Sequence, residues 1–114
     1  MTTVYGIKNC DSVKKALKFF KEHDIDYTFV DFKTDPVGCD IIDRWLNCSS
    51  MQQLFNSRST TYRQLKLKEL NLDDAGKREW LCKENLLIKR PVVEKDNHVI
   101  IGFNQTQYEG EFLS

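Results

Sequence analysis

The opening 32 residues constrain the fold most, because they read as strand, helix and strand with almost nothing between. Thr3 to Tyr5 is a short β-prone run ending at Gly6. A helical pattern follows, in which Val13, Ala16, Leu17 and Phe20 fall at i, i+3, i+4 and i+7, with Lys14, Lys15, Lys18 and Lys21 on the wet face. After His23-Asp24, Tyr27 to Phe32 is aromatic and β-branched and favours a second strand. Two strands joined through one helix in so short a span are expected to lie parallel, with a right-handed crossover.

Thr34-Asp35-Pro36 breaks this pattern, and from Cys39 to Glu84 nearly every signal is helical. Ile41, Ile42, Trp45 and Leu46 form one apolar stripe, and Met51, Leu54 and Phe55 a second. Asp73-Asp74 opens a third helix through Trp80, Leu81 and Cys82. Beyond Asn85, Val92-Val93 and Val99 to Ile101 flank the polar turn Lys95-Asp96-Asn97 as a hairpin. Asn104 with Gln107 resembles a capping box, and Tyr108 with Phe112 suggests a closing helix. The order is βαβ, helices, ββα: an α/β chain expected to form one domain over 1–114. Residues 1–36 and 87–114 would make its core, and 37–86 an all-helical insertion.

Composition narrows the function. Of 114 residues 40% are hydrophobic, enough for a packed core, and the charged 30% sum to zero, so no basic face invites nucleic acid or an acidic membrane. The start MTTVYGIKNCDS has no basic segment before an apolar stretch, and no run nears the ~20 apolar residues that cross a bilayer, so a cytoplasmic location is expected. Cys10, Cys39, Cys48 and Cys82 form no CxxC pair and no metal-ligand pattern, which reads as reduced cytosolic thiols and no metal site. Cys39, Cys48 and Cys82 fall on helical stripes beside Ile42, Trp45 and Leu81, so they are read as core residues without function.

Cys10 differs. It lies between a strand ending at Gly6 and a helix whose stripe begins at Val13, so its sulfur should meet the first turn of that helix. Unpaired backbone N–H groups and the positive end of the helix dipole favour thiolate over thiol there, and Lys8, Lys14 and Lys15 add positive charge. Only the thiolate is an effective nucleophile.

Four stretches in order, YGIKNCDSVKKAL, LFNSRSTTYRQL, LIKRPVV and IIGFN, resemble the arsenate reductase-like (ArsC/Spx) family, in its YffB branch, across essentially the whole chain. The resemblance implies a thioredoxin-like fold of βαβ and ββα units with the helical insertion between them. It also implies that Cys10 is the catalytic cysteine, with Lys8 and Asn9 beside it as substrate-binding residues. Arg90 and Arg58 would bind the substrate oxyanion, and Pro91 would be a cis-proline facing the thiol. From the residues alone, Arg58 and Arg90 read equally well as surface arginines, and Pro91 as the trans start of a strand. Guanidinium forks do suit carboxylates and oxyanions, and Lys8, Lys14, Arg63 and Lys89 could extend a basic rim.

Two departures shape the expected chemistry. Glutaredoxin-linked arsenate reductases carry a third arginine after the hairpin, whereas Val99 to Asn104 holds no basic residue here, which counts against arsenate as substrate. Spx-type regulators carry CxxC at the thiol, whereas the residue three after Cys10 is Val13. A thiolate without a resolving partner must be regenerated by an outside thiol. The resemblance points to glutathione as co-substrate, with glutathione or glutaredoxin as partner, a small anionic or thiol substrate and no bound cofactor. The alternative is an Spx-like regulator that binds the RNA polymerase α-subunit. A third reading keeps fold and thiol without turnover.

Overall fold

The computed structural model describes residues 1–113; Ser114, the last residue of the expected domain, lies outside the described residues. Strand β1 (Thr2–Gly6) leads into helix α1 (Asp11–Glu22) and returns as β2 (Thr28–Asp31), parallel to β1 with Thr3 opposite Thr28 and Gly6 opposite Asp31. On the other side of β1, β3 (Val92–Lys95) runs antiparallel with Tyr5 opposite Val92, and β4 (His98–Ile101) pairs antiparallel with β3. The sheet order is β2-β1-β3-β4. The hairpin turns at Asp96-Asn97, where Asp96 takes a left-handed φ of 54°, a conformation that short polar side chains tolerate.

Strand periodicity assigns the two faces of this sheet. Val4, Val93 and Ile100 stand in register on adjacent strands and are all buried. They pack with Ala16, Phe19 and Phe20 of α1 and with Tyr108 of α6 (Gln105–Phe112), whose start is capped by Asn104 Oδ1 accepting the Gln107 N–H. Tyr5, Val92 and Ile101 project to the opposite face and join a second cluster around Ile42, Trp45, Leu54, Leu81 and Leu87. Both faces are therefore covered, and each fully buried large apolar side chain contributes about 1.5–3 kcal/mol relative to exposure.

The second cover is helical: α2 (Cys39–Cys48), α3 (Met51–Leu54), α4 (Thr60–Gln64) and α5 (Asp74–Lys83), with 3₁₀ turns at Leu67–Leu70 and Asn85–Leu87. The stripe Met51, Leu54, Phe55 does not stay helical throughout. Ser50 and Gln53 form a capping box that starts α3, but Phe55 turns to extended dihedrals and forms an antiparallel bridge with Ile88. Its ring is buried, edge-on to Tyr62 of α4 and beneath the Lys77 ammonium of α5.

Helices α2 and α5 lie antiparallel, with three contacts in matching register. Asn85, after α5, accepts the Val37 N–H at 2.6 Å and donates to Val37 O at 3.1 Å. Cys39 is disulfide-bonded to Cys82, with Cα atoms 5.1 Å apart. One turn further, Arg78 grips Asp43 through two bonds of 2.6 and 2.7 Å, which holds the Asp43 carboxyl below the usual carboxylate range and raises Arg78. The expectation of four reduced thiols is thus corrected: antiparallel packing brings two helical cysteines, far apart in sequence, into bonding range. Cys48 is also corrected, because it is exposed at the end of α2 rather than part of the core.

A parallel βαβ unit followed by an antiparallel hairpin and a closing helix, all on one four-stranded sheet, is a thioredoxin-like fold. Among the described residues no helix is long and apolar enough to cross a membrane.

Candidate functional site

Gly6 fixes where the reactive segment begins. The Phe32 N–H bonds to Gly6 O at 2.8 Å, and a Cβ on Gly6 would stand 2.6 Å from Val13 Cγ2, so only glycine lets β1 end against the first turn of α1. Ile7 is buried, while Lys8 and Asn9 face solvent. Cys10 then takes the N-cap position of α1 with extended dihedrals (φ −144°, ψ 123°), and its carbonyl accepts the Lys14 N–H at 2.9 Å. No side chain caps this helix: a cysteine occupies the place where Ser, Thr or Asp would accept the orphan N–H groups. The thiol is free and half-buried against the core around Ile42 and Trp45.

The antiparallel β1–β3 pairing brings the lead-in of β3 to this same end of the sheet. Val92 is opposite Tyr5, so Arg90 and Pro91 arrive where the chain leaves Gly6 for Cys10. The Arg90–Pro91 peptide is cis and Pro91 is buried. This lead-in is held from behind: Pro91 O accepts the Gly102 N–H at 2.8 Å, Gly102 adopts a left-handed φ of 83°, and its carbonyl accepts the buried Tyr108 hydroxyl at 2.8 Å. Arg90 is half-buried, and among the described residues its guanidinium has no ion pair or hydrogen bond. A partly desolvated guanidinium without a carboxylate is suited to an incoming anion.

Arg58 sits on an exposed turn, its N–H donating to Asn56 Oδ1 at 3.0 Å just before Ser59 caps α4. That turn is tied to the segment before Arg90 by two backbone bonds, Asn56 N–H to Leu87 O and Lys89 N–H to Leu54 O, both 2.8 Å. The structure thus gathers Lys8, Asn9, Cys10, Arg90 and Pro91 at one sheet end and links the Arg58 turn to it through chain 87–89. Among the described residues the side chains of Lys8, Asn9 and Arg58 also lack hydrogen bonds and ion pairs. Lys14, Arg63 and Lys89 are exposed. Sequence reasoning missed the supports Gly6, Gly102 and Tyr108; a glycine at a strand end was the available signal for the first two.

A cleft of about 490 Å³ opens at the opposite, hairpin end of the sheet, lined by Arg44, Cys48, Glu94 and Asp96 among others. Its charges are already spent internally, Arg44 on Glu94 in a two-bond fork of 2.9 Å each and the chain's amino terminus on Asp96 at 3.1 Å. Among the described residues, Lys8 and Arg90 at the Cys10 end are thus unpaired cations, whereas Arg44 and the amino terminus at the cleft are paired.

With that geometry in place, comparisons with known proteins agree on relationship. The sequence profile of the ArsC family matches residues 5–110. A solved arsenate reductase (ArsC) related protein from Brucella melitensis is 41% identical, with 97% of this chain and 93% of that one covered and a TM-score of 0.75. A solved protein named YffB superposes with a TM-score of 0.89 at 32% identity, covering 96% of this chain and 97% of that one. A global transcriptional regulator Spx from Listeria innocua is 26% identical over 94% of this chain and 83% of its own length.

Proposed function

The chain belongs to the ArsC family, and from that premise we propose that it is a glutathione-dependent thiol reductase working through Cys10 alone. The thiol oxidoreductase fold is the family's; the finer assignment rests on one observation, a free cysteine at an uncapped helix N-terminus with an unpaired, half-buried arginine across the sheet end.

The proposed cycle has two exchanges. The Cys10 thiolate attacks the glutathione sulfur of a mixed disulfide; that S–S bond breaks, the substrate leaves as its thiolate, and Cys10 holds glutathione. A second glutathione thiolate then attacks the glutathione sulfur on Cys10, releasing glutathione disulfide and restoring the Cys10 thiolate. Arg90 and, from its turn, Arg58 hold the carboxylates of glutathione, with Lys8 and Asn9 lining the approach and Pro91 shaping the wall facing the sulfur. Glutaredoxin can replace free glutathione in the second step. No cofactor takes part. Within this reading residues 1–114 are one cytoplasmic domain, its 1–36 and 87–114 segments forming the core and 37–86 the helical insertion that brings Arg58. The absence of a basic residue from Val99 to Asn104 argues for a thiol rather than arsenate as substrate.

Intact mass after brief exposure to glutathione disulfide tests the proposal. One adduct is expected to form fastest on Cys10 and to be lost in Cys10→Ser. An adduct rate at Cys10 equal to that at exposed Cys48 would count against it. A second reading, a regulator that binds the RNA polymerase α-subunit, is favoured by the relatives named Spx. Capture of that subunit by the Cys10→Ser variant would support it over turnover.

A further inference from the structure

We propose that Cys39 and Cys82 form a second thiol–disulfide couple, separate from Cys10, that exchanges with glutathione-class thiols and disulfides and fastens α2 to α5 when oxidised. The pair is bonded, and its setting suits reversibility. Asp43–Arg78 one turn away and Asn85–Val37 on the other side hold the two helices in register without help from the sulfurs, so reduction leaves the thiols poised to re-form the bond. Both cysteines are half-buried rather than sealed.

The two sulfurs are not equivalent. Cys39 is the first residue of the ten-residue α2, and its cap, Gly38, brings no side chain to the first-turn N–H groups. Cys82 lies in the last turn of α5, at the negative end of that helix's dipole. Oxidation accordingly begins at Cys39: its thiolate attacks glutathione disulfide, forms a mixed disulfide and expels one glutathione thiolate. Cys82, giving up its proton to solvent, then attacks Cys39 Sγ and expels the second glutathione. The pair loses two electrons and glutathione disulfide gains them; reduction by two glutathione molecules runs the same steps backwards.

The test uses the full chain carrying Cys10→Ser and Cys48→Ser, which leaves only this pair and makes the result independent of any chemistry at Cys10. Aliquots equilibrated across glutathione to glutathione disulfide ratios are quenched in acid, alkylated under denaturing conditions and weighed. No alkylated thiol is expected at the oxidising end and two at the reducing end. Two thiols under excess glutathione disulfide would mean that no couple exists. None under excess glutathione would mean a fixed staple, and either result overturns the proposal. Adding Cys82→Ser should leave Cys39 capturing glutathione several-fold faster than Cys82 does when Cys39→Ser is added instead; equal rates would refute the order of attack.

Discussion

A single methyl group at position 6 would sit 2.6 Å from Val13 Cγ2, and Val13 is fully buried and cannot swing away. Gly6→Ala is therefore expected to cost about 1–3 kcal/mol through overpacking, read as a lower denaturant midpoint, and to shift the Cys10 loop enough to slow its alkylation. Unchanged stability would mean that β1 and α1 do not approach as described. At this scale the chain was partly legible. Cys10 was readable because strand end and helix stripe bracket it within four residues, and each is a local signal. Tyr108 was readable as a helix residue but not as the donor to Gly102 O, since that bond depends on how α6 folds back beneath β4.

Between elements, the α2–α5 seam carries the largest departure from the sequence reading. Cys39 with Asp43 and Arg78 with Cys82 each stand at i, i+4 spacing, so both pairs were visible as faces. What was not visible was that the two helices run antiparallel in a register that sets Cys39 on Cys82 and Asp43 on Arg78; periodicity describes a helix and not its neighbour. Phe55 shows the same limit, because the bridge to Ile88 comes from a segment more than thirty residues away. Asn85, buried and making three bonds to Val37 and Leu81, closes the seam. Asn85→Ala is expected to destabilise the protein by about 3 kcal/mol, from three bonds worth roughly 1 kcal/mol each, measured by chemical denaturation. Asn85→Asp should not rescue it, since a carboxylate cannot donate to the Val37 and Leu81 carbonyls.

For the molecule as a whole, the order βαβ, helices, ββα was the most legible feature and the sheet follows from it, while the broken course of the helical cover was not. The packing of both faces leaves a signature in alkali. Tyr5 is pushed up to about 12, first by burial and then by the adjacent Glu94 carboxylate, and burial drives Tyr108 upward as well. An unfolded chain releases these protons near pH 10, so between about 10 and 12 the unfolded state sheds protons that the folded one keeps. Stability should fall as pH rises through that window, followed by denaturant midpoint; a flat profile would contradict the burial of these rings.

The central claim is that Cys10, with Arg90 across the same sheet end, is the reactive thiol of this fold. Alkylation of Cys10 and of exposed Cys48 by the anionic reagent iodoacetate, followed by peptide mass at one fixed pH, tests it most directly. Modification of Cys10 several-fold faster than Cys48 is expected, slowed in Arg90→Gln. Equal rates at the two cysteines, unmoved by Arg90→Gln, would contradict the account.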